Sequence, residues 1–307
     1  MNRPQIVIAG ASGQVALALQ RQAARRGTIA SSLGRPQFDL TEAATVSAAL
    51  DEARPSIVIN AAAYTAVDKA ESEPDGAMAV NAGGAATLAA ACAERAIPLV
   101  HISTDYVFDG SKTSPYVESD ATAPLSVYGE SKAAGEDAVR RLNPQHIIVR
   151  TSWVYGPDGA NFLKTMLRLG ATRDEISVVG DQYGAPTRAD DLAAALLELA
   201  LEQLKTAGGS RWGTYHLTGG GQTTWHGFAE QIFQHADEAG AKTPRLNCIA
   251  TSSYPTPARR PAYSVLDQSK IKAAFGIALP DWRDSLATHF SEVQSPAQCA
   301  LQTRNHA

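Results

Sequence analysis

Through the first 150 residues, short β-branched runs alternate with alanine-rich stretches of helical periodicity, which leaves the chain few architectures. Gln5–Ala9, Ser56–Asn60, Pro98–Ile102 and His146–Arg150 read as strands. Gln14–Arg26, a stretch from about Glu42 to Ala53, Ala77–Arg95 and Ser126–Arg141 read as helices. A single apolar run of this length cannot be told from a helix segment. The repeated alternation decides it. The strands lack period-two polarity, so both of their faces are buried, as in parallel strands joined by helical crossovers. The expectation is an α/β fold with a doubly wound parallel sheet.

After Thr151 the pattern loosens. Helices are predicted at Asn161–Gly170, Ala189–Leu204, Trp225–Ala239 and Asp284–Val293. Between them lie segments rich in Gly, Pro, Ser and Thr, such as Gly208-Gly209-Ser210 and Thr251–Arg260. This reads as a smaller, partly helical C-terminal lobe over the carboxyl edge of the sheet. The division is residues 1–155 for the sheet domain, with later segments returning to it, and 156–293 for the lobe. A frayed tail is expected over 294–307.

The 307 residues carry a formal net charge of −4, which gives no reason to expect nucleic acid or an anionic membrane. Three scattered cysteines (Cys92, Cys248, Cys299) make neither a disulfide framework nor a metal knot. The N-terminus shows no signal-peptide pattern, and no uninterrupted apolar run approaches the roughly 20 residues of a membrane span. A cytoplasmic location is the expectation.

The first strand ends in Gly10-Ala11-Ser12-Gly13-Gln14-Val15-Ala16 and passes directly into a helix. Glycines there allow a tight turn and bring backbone N–H groups close to a pyrophosphate at the helix N-terminus. Ala16, in place of a third glycine, is small enough for close helix–sheet packing. That context points to a Rossmann-like dinucleotide site. No acid occurs before Asp39, where an NAD-preferring site would need one for the ribose hydroxyls. The second strand instead leads into Ser31, Ser32 and Arg35, groups suited to a 2′-phosphate, although Arg35 could equally stand in solvent. NADP is expected before NAD.

Tyr128 and Lys132 stand at i and i+4 on one helical face. An unperturbed phenol holds its proton too tightly for neutral acid–base work, and a lysine one turn away is expected to lower its pKa. The same lysine can bond a nicotinamide ribose. The loop expected before this helix carries Ser103 and Thr104, whose hydroxyls can polarise a carbonyl at the strand ends. Strand-end capping is the bland alternative.

These motifs occur together with Asn60–Glu71, Ser103–Gly110, Arg150–Gly156, Asp181–Thr187 and Tyr254–Pro261. In that order they resemble the dTDP-4-dehydrorhamnose reductases, within the extended short-chain dehydrogenase/reductase superfamily, over nearly the whole chain. The resemblance implies hydride transfer from NADPH to C4 of a 4-keto-6-deoxy sugar on a nucleotide, a step of dTDP-rhamnose and lipopolysaccharide biosynthesis. Tyr128 would protonate the alkoxide, Lys132 would tune it, and Thr104 would bond the carbonyl oxygen. Gly10, Ser12, Gly13, Gln14 and Val15 would hold the pyrophosphate, and Asp39 and Leu40 the adenine edge. Ala62, Ala63, Tyr64 and Ser103 would run along the cofactor. Asp105, Trp153 and Gln182 would contact the substrate. Arg259 and Arg260, between Pro257 and Pro261, are expected to hold its diphosphate.

Two departures stand out. Serines replace the acid often found at the end of the second strand, and Tyr263 replaces the asparagine of the usual Arg-Pro-x-Asn-Ser run. Some relatives form dimers around Mg²⁺; a homodimer is thus possible here, but the sequence establishes no metal site. Other readings are a reductase of a different 4-keto-6-deoxyhexose, a 4,6-dehydratase, and a regulatory subunit like that of methionine adenosyltransferase. Against the dehydratase, Thr104-Asp105-Tyr106 has one acid where such enzymes carry two. Tyr128, Lys132 and Thr104 together favour turnover over a regulatory role.

Overall fold

The computed structural model describes residues 4–205 and 211–294. The Gly208-Gly209-Ser210 segment, Cys299 and the expected tail beyond Gln294 lie outside the described residues.

Five strands and their helices alternate as the sequence pattern requires: β1 (Gln5–Ala9), α1 (Gln14–Arg26), β2 (Ile29–Leu33), α2 (Ala43–Ala53), β3 (Ile57–Asn60), α3 (Pro74–Glu94), β4 (Leu99–Thr104), α4 (Val127–Leu142) and β5 (His146–Thr151). They continue as α5 (Phe162–Thr172), β6 (Glu175–Val179), α6 (Ala189–Lys205), β7 (Gly213–His216), α7 (Trp225–Glu238), β8 (Arg245–Ile249), α8 (Ser269–Phe275) and α9 (Trp282–Gln294). The main sheet is parallel throughout, in the order β7-β5-β4-β3-β1-β2. The chain leaves β1 for β2 on one side and returns to β3 on the other. That reversal opens a crevice beyond the carboxyl ends of β1 and β3, where ligands of open α/β sheets bind.

Two apolar layers sandwich the sheet. Ile6, Ile8 and Ile59 pack with Leu19 of α1 and with Leu192 and Leu196 of α6. Val7, Val58 and Leu99 pack with Leu50 of α2, Leu88 of α3 and Val139 of α4. The second half of the chain thus returns to the sheet through α6 and β7, and Ile271 of α8 joins the first layer. The remaining lobe has its own core, with Leu163, Ile176, Phe228, Trp282 and Leu286 around the parallel pair β6–β8.

Three local differences from the sequence reading bear on the site. β4 runs through Ser103 and Thr104, so these hydroxyls end a strand rather than sit in a loop. Ser31 and Ser32 lie within β2 rather than after it. Helix α3 starts at Pro74, whose missing N–H costs nothing at N1, and holds a π-helical stretch over Ala79–Gly84. Its 21 residues include an 18-residue stretch with a mean hydropathy of 1.3, long and apolar enough to cross a membrane on length and composition. The sequence reading found no such span. The apolarity here serves the sheet: Ala85, Leu88, Ala89 and Cys92 are buried in the second layer.

Candidate active site

The N-terminus of α1 faces the crevice with its donors unused. Its N-cap is Gly13, no side chain caps it, and no acid stands in the first turn. Gly10, at φ +118°, crosses so near the next loop that a Cβ would lie 3.2 Å from the Ala62 nitrogen. Only glycine fits there. The amides after Gly13 and the dipole of α1 make an anion site. Gln14 ties this loop to the second lobe, since Asn161 donates to its Oε1 at 2.9 Å.

The serine hydroxyls of β2 are drawn into the fold. Ser32 donates to Gly10 O at 2.5 Å and accepts from Gln20 at 3.0 Å, while the Ser31 hydroxyl is buried without a partner. Of the expected phosphate cluster only Arg35 is exposed, just past Gly34. Asp39 accepts two hydrogen bonds from Thr41, at 3.0 and 2.8 Å, which with the Arg35 charge hold its carboxyl below the usual range. Leu40 is buried against Gly84. The amide of Tyr64 is clamped by the buried Asn81, which accepts at 2.8 Å, donates to Tyr64 O at 3.0 Å, and donates to Ser131 of α4 at 2.9 Å. Sequence reasoning passed over Asn81, which sits in the π-helical stretch of α3.

Ser126 caps α4 by accepting from Gly129 N at 3.2 Å, and this start sets Tyr128 and Lys132 one turn apart over the end of β4. Gly129 lets the helix press on the Tyr106 carbonyl, which a Cβ would meet at 2.3 Å. Lys132 is buried and donates to Ile102 O at 2.6 Å. Burial pulls its ammonium down to about 8, against the opposing charge of Glu136. Tyr128 is pushed up to about 12, first by burial and then by the Asp105 charge, with a hydrogen bond to Thr104 pulling the other way. The sequence reading had Lys132 lowering this pKa. In the folded chain desolvation sets the direction instead, and the phenol keeps its proton at neutral pH.

Thr104 donates to Asp105 Oδ1 at 3.0 Å and accepts from Tyr106 N at 3.2 Å. Asp105 is 1% exposed, and its Oδ2 has no partner. Burial raises this carboxyl to about 7, with hydrogen bonds from Ser264 and Thr104 opposing. Ser103 is buried on β4, next to Thr104.

These groups share one cavity of about 610 Å³. Ser12, Gly13, Gln14, Val15, Ala62 and Ala63 line it together with Ser103, Thr104, Asp105, Tyr128 and Lys132. Trp153 and Trp225 line it as well, their rings stacked with centroids 3.5 Å apart. Trp225 opens α7 behind the cap Thr224, and no sequence motif pointed to it. Gly10, Arg35, Asp39, Leu40 and Tyr64 lie outside this lining.

Three expected substrate residues also lie off it. Gln182 is buried and donates to Thr251 at 3.1 Å. Arg259 is exposed. Arg260 forks onto Asp68 at 3.1 and 2.8 Å and donates to Ala258 O. Instead of standing ready for phosphate, its guanidinium joins the two halves of the chain and holds the Asp68 carboxyl below the usual range. Among the described residues no group of three or more His, Cys, Asp or Glu side chains is placed to hold a metal ion.

Comparison with known proteins gives a consistent picture. Residues 4–295 match the family described as RmlD substrate binding domain. The chain is 48% identical over 281 residues to a dTDP-4-dehydrorhamnose reductase of Sinorhizobium fredii, covering 92% of this chain and 95% of that one. It is 43% identical to the protein of the same description from Escherichia coli K12, over 94% and 97% of the two chains. Among solved structures, dTDP-4-dehydrorhamnose reductase from Bacillus anthracis in complex with NADP superposes with a TM-score of 0.88 at 37% identity, covering 95% of this chain and 100% of that one. A UDP-glucose 4-epimerase from Thermus thermophilus, with TM-score 0.73 and 22% identity over 94% and 99% of the two chains, shares the fold alone.

Proposed function

This chain belongs to the dTDP-4-dehydrorhamnose reductase family, and from that premise we propose that it reduces dTDP-4-dehydro-L-rhamnose to dTDP-L-rhamnose, with NADPH as reductant and Tyr128 as proton donor. The observation that carries this reading is the meeting of Thr104, Tyr128 and Lys132 with an uncapped helix N-terminus in one cavity.

The residues fit a dinucleotide phosphate. Gly10 permits the close backbone crossing to Ala62 that shapes the loop, and the first turn of α1 offers N–H donors with no acid to repel an anion. Ser12, Gly13, Gln14 and Val15 would hold the pyrophosphate, Lys132 the ribose next to the nicotinamide, and Arg35 the 2′-phosphate. When bound, NADPH supplies the hydride to C4 of the sugar.

The protein's part is proton management. A phenol pushed up to about 12 is fully protonated at neutral pH, the state a proton donor to an alkoxide needs. Thr104 can turn its hydroxyl from Asp105 toward the carbonyl oxygen, since Asp105 near 7 tolerates losing that donor by holding a proton itself. After transfer, the ammonium one turn along α4 stabilises the phenolate. Asp105 and the Trp153 side would hold the sugar.

The reading is tested by incubating the protein with the dTDP-4-keto sugar and NADPH, following NADPH oxidation and identifying the product by NMR. Tyr128→Phe is expected to lower kcat by about 10²–10⁴ with cofactor affinity little changed. Near-full turnover in that variant would remove Tyr128 from the role. A different 6-deoxyhexose as product would reassign the substrate.

A further inference from the structure

The indole of Trp153 is closed on both faces. One face lies on Trp225, with ring centroids 3.5 Å apart and planes within 7°. On Gly184, a Cβ would stand 2.4 Å from Trp153 Cε2, 2.6 Å from Cζ2 and 2.7 Å from Nε1. These near-equal distances put it above the ring, not beside it. Trp225, stacked at 3.5 Å, leaves no space for such an atom on its side, so Gly184 covers the opposite face. Phe162 backs Trp225 in turn, at 4.7 Å and 45°. The backbone of Trp153 is held at φ +47°, a conformation that a bulky residue keeps only where its surroundings impose it.

We propose that Trp225 and Gly184 are positioning residues for sugar recognition, clamping Trp153 so that it meets the substrate with the N–H edge of its indole rather than a ring face. Sugar rings commonly lie flat on an exposed aromatic face, and here neither face of Trp153 is open. What remains is the edge with its single donor. Among the described residues no acceptor meets Trp153 Nε1–H, and the residue lines the cavity. A sugar oxygen is the acceptor it would find there. Trp225 fixes the ring from one side. Gly184 fixes it from the other by having no side chain.

The inference rests on the reading of the cavity as a nucleotide-sugar site. It is tested by steady-state kinetics with the dTDP-4-keto sugar and NADPH, and by the far-ultraviolet exciton couplet that stacked indoles give in circular dichroism. Trp225→Ala should abolish the couplet and raise KM for the sugar nucleotide by about five- to tenfold, the worth of one aromatic pair, with the NADPH Kd unchanged. Trp225→Phe should recover most of that loss. Trp153→Phe, which keeps a ring but no N–H, should be as impaired in KM as Trp153→Leu. If Trp225→Ala does not fold, Gly184→Ala takes its place, since its methyl presses the indole out of register and should raise KM without touching NADPH binding. The inference is overturned if Trp153→Phe keeps a normal KM, or if the couplet disappears with KM unchanged. Wild-type protein inactive on the sugar nucleotide would overturn the functional reading and this inference with it; active wild type with unaffected variants would overturn this inference alone.

Discussion

Replacing Asp105 by asparagine should make the ligand-free protein more stable and the enzyme worse. The carboxyl is 1% exposed, accepts from Thr104, and has one oxygen with no partner. Burial lifts it from 3.8 to about 7. A folded-state pKa raised above the unfolded one means the folded chain binds the extra proton. Stability is therefore full below 3.8, declines as pH rises toward 7, and stays reduced above it. At 1.36 kcal/mol per pH unit, the ceiling on this loss is about 4 kcal/mol. An asparagine side chain in its place would carry no charge to desolvate and would still accept from Thr104. Urea unfolding at pH 5 and pH 8 measures the effect. Asp105→Asn should gain about 1–4 kcal/mol over wild type at pH 8 and much less at pH 5. Its kcat/KM for the sugar nucleotide should fall, because the acceptor for sugar hydroxyls is weakened. An equal stability difference at both pH values would refute the reasoning, since an uncharged effect of the substitution would then suffice.

Three further outcomes are expected. Arg35→Ala should lower kcat/KM for NADPH more than for NADH, because Arg35 alone of the expected phosphate cluster is exposed; equal losses would place it in solvent. Arg260→Ala should raise KM for the sugar nucleotide about tenfold if the guanidinium leaves Asp68 for the diphosphate, whereas Asp68→Ala, which frees it, should not. Equal effects on KM would show the pair to be a structural link between the two halves. Gly129→Ala should cost about 1–3 kcal/mol in thermal or urea unfolding and depress kcat, because its methyl would meet the Tyr106 carbonyl 2.3 Å away and push α4 off the end of β4. Wild-type stability would mean that the backbone there yields freely.

Burial on both faces of a parallel sheet leaves a mark in the chain itself, so the alternation of apolar strands with amphipathic helices was legible. Strand β1 and helix α1 have the boundaries read from sequence, and the glycines between them are local in their action. The pair Tyr128 and Lys132 was legible for the same reason, since one helical turn fixes their relation whatever surrounds them. Their chemistry was not. The pKa of Tyr128 depends on what covers it, and desolvation by the rest of the fold reverses the direction that its near neighbour alone suggests.

The same division runs through the whole site. By itself the sequence determined the alternation of strands and helices, the glycine loop after β1 and the shared helical face of Tyr128 and Lys132, because each is written in residues a few positions apart. Only the tertiary structure decided that Ser32 turns inward to Gly10, that Arg260 closes on Asp68 across 192 residues, and that Gly184, Trp153 and Trp225 meet in one stack. Those contacts join segments far apart in the chain. No periodicity or spacing records them, since they exist only once burial of the two apolar layers has brought the segments together.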